Sequence, residues 1–174
     1  MTAPQRQATP AELRRAILAL EESPVRIAAA DWPADLQDLD EPGLYSWWVD
    51  ERGAKDLSDG LGHTVGPGRI YAGQTGATKW PSGTTGAMTL AKRIGGNHLN
   101  GRIRGSTFRL TLAAILASPQ RLTRPAPGRL DRESEQRLSQ WMRAHLHVAV
   151  HPCPDRDALA DLERRIVTPA RTAA

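Results

Sequence analysis

The chain's only two tyrosines each sit in a triplet with glycine, Gly43-Leu44-Tyr45 and Tyr71-Ala72-Gly73. Both triplets fall in runs with strand character. Residues 43–49, Gly-Leu-Tyr-Ser-Trp-Trp-Val, are aromatic and β-branched, and residues 69–72, Arg-Ile-Tyr-Ala, form a second short run. The connection between them, 50–68, is polar and rich in glycine, which predicts an antiparallel hairpin with an extended loop. Side chains alternate along a strand, so two phenols on neighbouring strands can share one face, and glycines beside them let a ligand or a second backbone approach closely.

Charge narrows the partner. No Asp or Glu occurs from Gly60 to Leu130, where simple proportion predicts about eight. That stretch carries ten bases: Arg69, Lys79, Lys92, Arg93, Arg102, Arg104, Arg109, Arg121, Arg124 and Arg129. A net charge of +4 therefore hides a middle of +10 and flanks that together carry −6. Missing carboxylates matter more than abundant arginines, because carboxylates repel phosphate and weaken the term that dominates nucleic-acid affinity. Nucleic acid is the expected partner, with Lys79, Lys92, Arg102, Arg104 and Arg109 as its candidate contacts.

At 174 residues one compact domain is the default. A single cysteine, Cys153, excludes an internal disulfide framework and any multi-thiolate metal site. The longest apolar stretch, 110–117, is too short to span a bilayer, and residues 1–7 lack the apolar core of a secretory signal. The expectation is a cytoplasmic protein with no membrane association; the sequence leaves its oligomeric state open.

Helices are predicted at 10–22, with Thr9 as N-cap and Pro10 at the first position, and at 88–94, stopped by Gly95-Gly96. Further helices are predicted at 106–117, 131–146 and 155–167, and a third strand at 147–150. Residues 31–42 and the proline-containing 119–128 read as connections.

With these residues in place, the chain resembles the GIY-YIG nuclease family. Gly43-Leu44-Tyr45 matches the first motif with Leu for Ile, and Tyr71-Ala72-Gly73 the second with Ala for Ile. Arg93 stands where the family carries a helical arginine, His98 where restriction-type members carry an extra histidine, and Glu163 where a later helix carries a glutamate. The resemblance runs from about Gly43 to Val167. It implies an α+β domain over 41–174, with a small three-stranded antiparallel sheet flanked by helices, preceded by an N-terminal helical extension over 1–40.

The implied activity is phosphodiester hydrolysis by a metal-dependent endonuclease, with DNA favoured over RNA. Arg93 offers a permanently charged fork to phosphoryl oxygens. Glu163 suits Mg²⁺, with Mn²⁺ as a substitute, because Mg²⁺ keeps several waters and needs only one or two carboxylates. A phenol with pKa about 10 is about 4 kcal/mol from ionising at neutral pH. It therefore needs help, and the assignment is Tyr45 as base, Tyr71 as orienter or shared base, and His98 as proton relay. Taken singly, Arg93 also reads as one more phosphate contact, Glu163 as a surface carboxylate and His98 as a cap to the Gly95-Gly96 break. The family commonly carries a terminal asparagine whose position here falls past Ala174, so the resemblance also implies a shortened C-terminus with reduced or lost activity. The alternative is a degenerate domain that binds nucleic acid without cutting it.

Overall fold

A computed structural model describes residues 6–22, 25–33, 38–76 and 87–166. Helix α1 (Pro10–Ile17) begins with the expected capping box: the Thr9 hydroxyl accepts from the Glu12 N–H at 3.2 Å, and the Glu12 carboxylate accepts from the Thr9 N–H at 2.7 Å. It continues as a π-helical turn, Leu18–Glu22. Strand β1 (Ile27–Ala28) follows, then β2 (Gly43–Val49), helix α2 (Glu51–Leu61) and β3 (Gly68–Thr75). After these come a π-helical segment, Lys92–Leu99, then α3 (Thr107–Ile115), α4 (Arg132–His145), β4 (Leu146–Pro152) and α5 (Arg156–Ile166).

The four strands form one antiparallel sheet in the order β1-β4-β2-β3. Among the described residues four strands replace the expected three, because two residues of the N-terminal segment, Ile27 and Ala28, pair with Val148 and His147 at the edge of β4. A pair that short has no periodicity to read.

The 50–68 connection is not an extended loop. Asp50 accepts from the Gly53 N–H at 2.7 Å and starts α2, whose Ala54 and Leu57 are buried, and Gly62 closes it in the left-handed region. Glycines at 53 and 60 had argued against a helix. Both glycines are packing positions: a Cβ at Gly53 would meet Val49 and His145, and one at Gly60 would run into the Ile115 carbonyl of α3.

β2 is central and buried on both faces. Leu44 joins α1 and α5 in one cluster with Leu20, Leu159, Leu162 and Ile166. Tyr45, Trp47 and Val49 point the other way, into the larger cluster with Ile94, Leu99, Phe108, Leu112, Leu138 and Met142. The N-terminal segment is tied in by polar contacts too: the Ser46 hydroxyl donates to the Leu20 carbonyl at 2.8 Å, and Asp161 accepts from the Ala8 N–H at 3.1 Å. Among the described residues no helix is long and apolar enough to cross a membrane.

Gly60 supplies a test whose sign is diagnostic. In an ordinary helix Gly→Ala stabilises by about 1 kcal/mol. Here Gly60→Ala is expected to lower stability by about 1–3 kcal/mol, since the methyl would have to displace the α3 backbone. Urea unfolding measures it, and a stabilised variant would show that α2 does not lie against α3 in this way.

Candidate active site

The β2–β3 register sets Tyr45 opposite Gly73 and Trp47 opposite Tyr71. These four positions share one sheet face. The Tyr45 and Tyr71 rings stack at a centroid distance of 6.3 Å, and Phe108 of α3 lies 4.6 Å from Tyr71. Gly73 has to be glycine: a Cβ there would stand 2.7 Å from the Tyr45 hydroxyl and 3.0 Å from the Tyr71 ring.

Arg93 and His98 come from the π-helical segment and meet the same atom. Arg93 Nε donates to the Tyr45 hydroxyl at 3.4 Å, and His98 Nε2 lies 2.8 Å from it. In an α-helix, residues five apart point about 140° away from each other. Here the segment is wound with i→i+5 bonds, such as Asn100 N–H to the Gly95 carbonyl at 2.9 Å, so residues five apart fall one turn apart on one side. The predicted stop at Gly95-Gly96 is thereby corrected. Gly95 lies under Trp32, where a Cβ would sit 2.8 Å from the indole nitrogen, and the helix runs on to Leu99.

Behind His98 stands Ser106, the N-cap of α3. Its hydroxyl oxygen accepts from the Arg109 N–H at 3.0 Å and lies 2.7 Å from His98 Nδ1. Tyr45 and His98 are both fully buried, whereas Tyr71 and Arg93 are half-buried. Burial, reinforced by the Tyr71 phenol, raises the Tyr45 pKa against the pull of Arg93. Burial, then the charges of Arg93 and Arg109, lowers the His98 pKa to about 3. Both groups are neutral at rest.

Arg109 is corrected from a nucleic-acid contact to an interior residue. Its guanidinium is fully buried and donates to the Glu135 carboxylate from Nε at 3.1 Å and from Nη2 at 2.9 Å. Nη1 donates to the His98 carbonyl at 3.0 Å. With Ser106, Arg109 belongs to the support of His98, which residue order does not reveal. The serine's placement just ahead of an apolar helix run was the available signal; nothing marked Arg109 apart from the other bases.

Lys92, Arg102 and Arg104 are exposed. Lys79 lies outside the described residues, as do the terminal residues 167–174. Glu163 is half-buried on α5, two turns past Arg156, whose guanidinium donates to the Gly76 carbonyl just beyond β3. Its helix is thus joined to the strand that carries Tyr71.

The profile of the GIY-YIG catalytic domain matches residues 43–171, and the chain belongs to the GIY-YIG nuclease family. This places it among hydrolases that act on nucleic acid. No curated protein and no solved structure gives a significant match to the chain.

The His98 assignment predicts a pH-dependent stability. Its folded pKa is depressed below the unfolded value near 6.5, so the unfolded chain takes up the proton first. The stability contribution is complete above pH 6.5 and is lost as pH falls towards 3. Between pH 7.5 and pH 5 the loss is about 2 kcal/mol. His98→Gln should remove that part of the slope in urea unfolding; an unchanged slope would mean that His98 is not held neutral.

Proposed function

We propose that the protein is a divalent-metal-dependent endonuclease that hydrolyses phosphodiester bonds in nucleic acid, with DNA as the favoured substrate. The observation that supports it is the Tyr45 hydroxyl placed between Arg93 Nε and His98 Nε2. A structural tyrosine needs one such partner; a proton path needs both a donor to steady the oxygen and an acceptor for the hydrogen.

Among the described residues no three His, Cys, Asp or Glu side chains gather at one point. The donor set that remains, Glu163 with water and a substrate phosphate, fits Mg²⁺ or Mn²⁺, since Mg²⁺ retains waters and is commonly held by one or two carboxylates. When bound, such an ion supplies charge for the developing oxyanions.

Arg93 turns Nε to Tyr45 and leaves its two Nη groups for the phosphoryl oxygens. Tyr71, the more exposed phenol, orients the attacking water. As the water oxygen bonds to phosphorus, its proton passes to the phenol pair and the Tyr45 proton passes to His98 Nε2. The bond from phosphorus to the leaving sugar oxygen breaks, and that oxygen takes a proton from solvent. Two of the three causes that hold His98 neutral are the positive charges of Arg93 and Arg109. A phosphate against Arg93 offsets one of them, so His98 becomes a better acceptor once substrate is present.

Burial of both Tyr45 and His98 favours a second reading, in which the domain binds nucleic acid without cutting it. Supercoiled plasmid separates the two. The nuclease reading predicts nicking or linearisation in Mg²⁺ or Mn²⁺ and none in EDTA, and persistent binding with no cleavage in any metal contradicts it.

Substitutions at Glu163, Tyr45 and Tyr71 test the individual roles. Glu163→Ala should abolish cleavage while leaving binding in EDTA unchanged. Tyr45→Phe and Tyr71→Phe should each lower the rate about 10²–10⁴-fold, and the double variant should be little slower than the poorer single. Phe variants that cut at the wild-type rate would return both tyrosines to a packing role.

A further inference from the structure

A second basic surface lies outside the tyrosine site. A groove of about 1210 Å³ opens between the turn that follows the π-helical segment, the stretch before α4 and α4 itself, and none of Tyr45, Tyr71, Arg93, His98 or Glu163 lines it. Six arginines line it, of which Arg109 and Arg143 are hydrogen-bonded within the fold; the other four are Arg102 and Arg104 from the turn, Arg129 from the stretch before α4, and Arg132 from the first residue of that helix. All four are exposed.

These guanidinium groups have no hydrogen-bond or carboxylate partner among the described residues. The chain treats many of its other arginines differently: Arg69 is paired with Glu21, Arg137 with Glu133, and Arg164 and Arg165 with Asp161. Acids are present in the groove wall and are already engaged. Asp131 caps α4 by accepting from the Ser134 N–H at 2.7 Å, and Glu135 accepts from Arg109 at 2.9 Å and from the Ile103 N–H at 3.1 Å. Four like charges around one concavity repel one another until an anion enters, and planar guanidinium forks match phosphate oxygens. Arg109 joins this groove to the tyrosine site, because the residue that forms part of its lining also donates to the His98 carbonyl.

We propose that the groove binds the phosphodiester backbone of a nucleic acid away from the bond being cut, so that the substrate is gripped at two places. Arg102, Arg104, Arg129 and Arg132 make those contacts, and Arg109 holds Glu135, which in turn accepts from the Ile103 N–H between the first two. The inference rests on the nuclease reading for the identity of the polyanion, and not on cleavage itself.

Fluorescence anisotropy in EDTA tests it, with a short labelled DNA duplex titrated at several salt concentrations and a matched RNA duplex in parallel. Replacing all four arginines with alanine should weaken binding at least about tenfold and flatten the log–log salt dependence by about 0.9 for each arginine that meets a phosphate. Replacing all four with lysine should restore most of the slope. The melting temperature of neither variant should fall below the wild type, because none of the four side chains holds a partner among the described residues. Plasmid cleavage by the wild-type protein is measured alongside. Groove-dependent binding without cleavage in any metal would uphold the groove and reject the nuclease reading. Cleavage with unaltered affinity and salt slope in the alanine variant would overturn the groove and leave the nuclease reading standing. A wild-type protein that binds neither duplex would also overturn it.

Discussion

The Tyr45 hydroxyl holds two residues of one helical segment at once, and much of the domain is arranged to make that possible. Arg93 and His98 are five residues apart and converge on a single oxygen. That convergence requires i→i+5 winding, which in turn requires a residue without a side chain where Trp32 lies against the helix. Gly95 meets that need. Gly73 meets the matching need on the sheet, where any Cβ would press on both tyrosines. The glycines of this site are spaces occupied by aromatic rings, more than points of backbone freedom.

Neutrality is the second theme. A buried phenol and a buried imidazole each resist charge, and Arg93 and Arg109 make a charged imidazole harder still to form. Arg109 is itself buried, and its own pKa is lowered by that burial while Glu135 opposes the change. Its donors are nonetheless answered, by Glu135, Ser139 and the carbonyls of His98 and Leu99. Buried charge with every donor answered fixes geometry well, and breaking one partner is costly. The same guanidinium that repels a proton from His98 thus also clamps the His98 backbone.

Much of this was legible from residue order alone. Strand alternation let the two phenols share one face, as the β2–β3 register bears out, Thr9 announced a helix start, and the helices predicted from 106 and 131 begin where Ser106 and Asp131 cap them. The family motifs carried Arg93 and His98 to the tyrosines. What stayed hidden was set by tertiary contact. α2 defied its glycines because Val49, His145 and Ile115 pack where their side chains would have been. The π-helical winding defied the Gly95-Gly96 pair for a similar reason, and β1 was too short to announce itself. Arg109 looked like its basic neighbours, since only a structure distinguishes an arginine facing Glu135 from one facing solvent.

The central claim is that a neutral His98 accepts the Tyr45 proton at Nε2. Ser106 then accepts from His98 Nδ1–H, and His98 must rest as the Nδ1–H tautomer. Nitrogen-15 NMR of the imidazole, recorded from pH 7.5 down to pH 5, reports that state directly through the separate shifts of the two ring nitrogens. A protonated Nδ1 and an unprotonated Nε2 are expected throughout the range, without titration. An imidazole that titrates near pH 6.5, or one that carries its proton on Nε2, would contradict the claim.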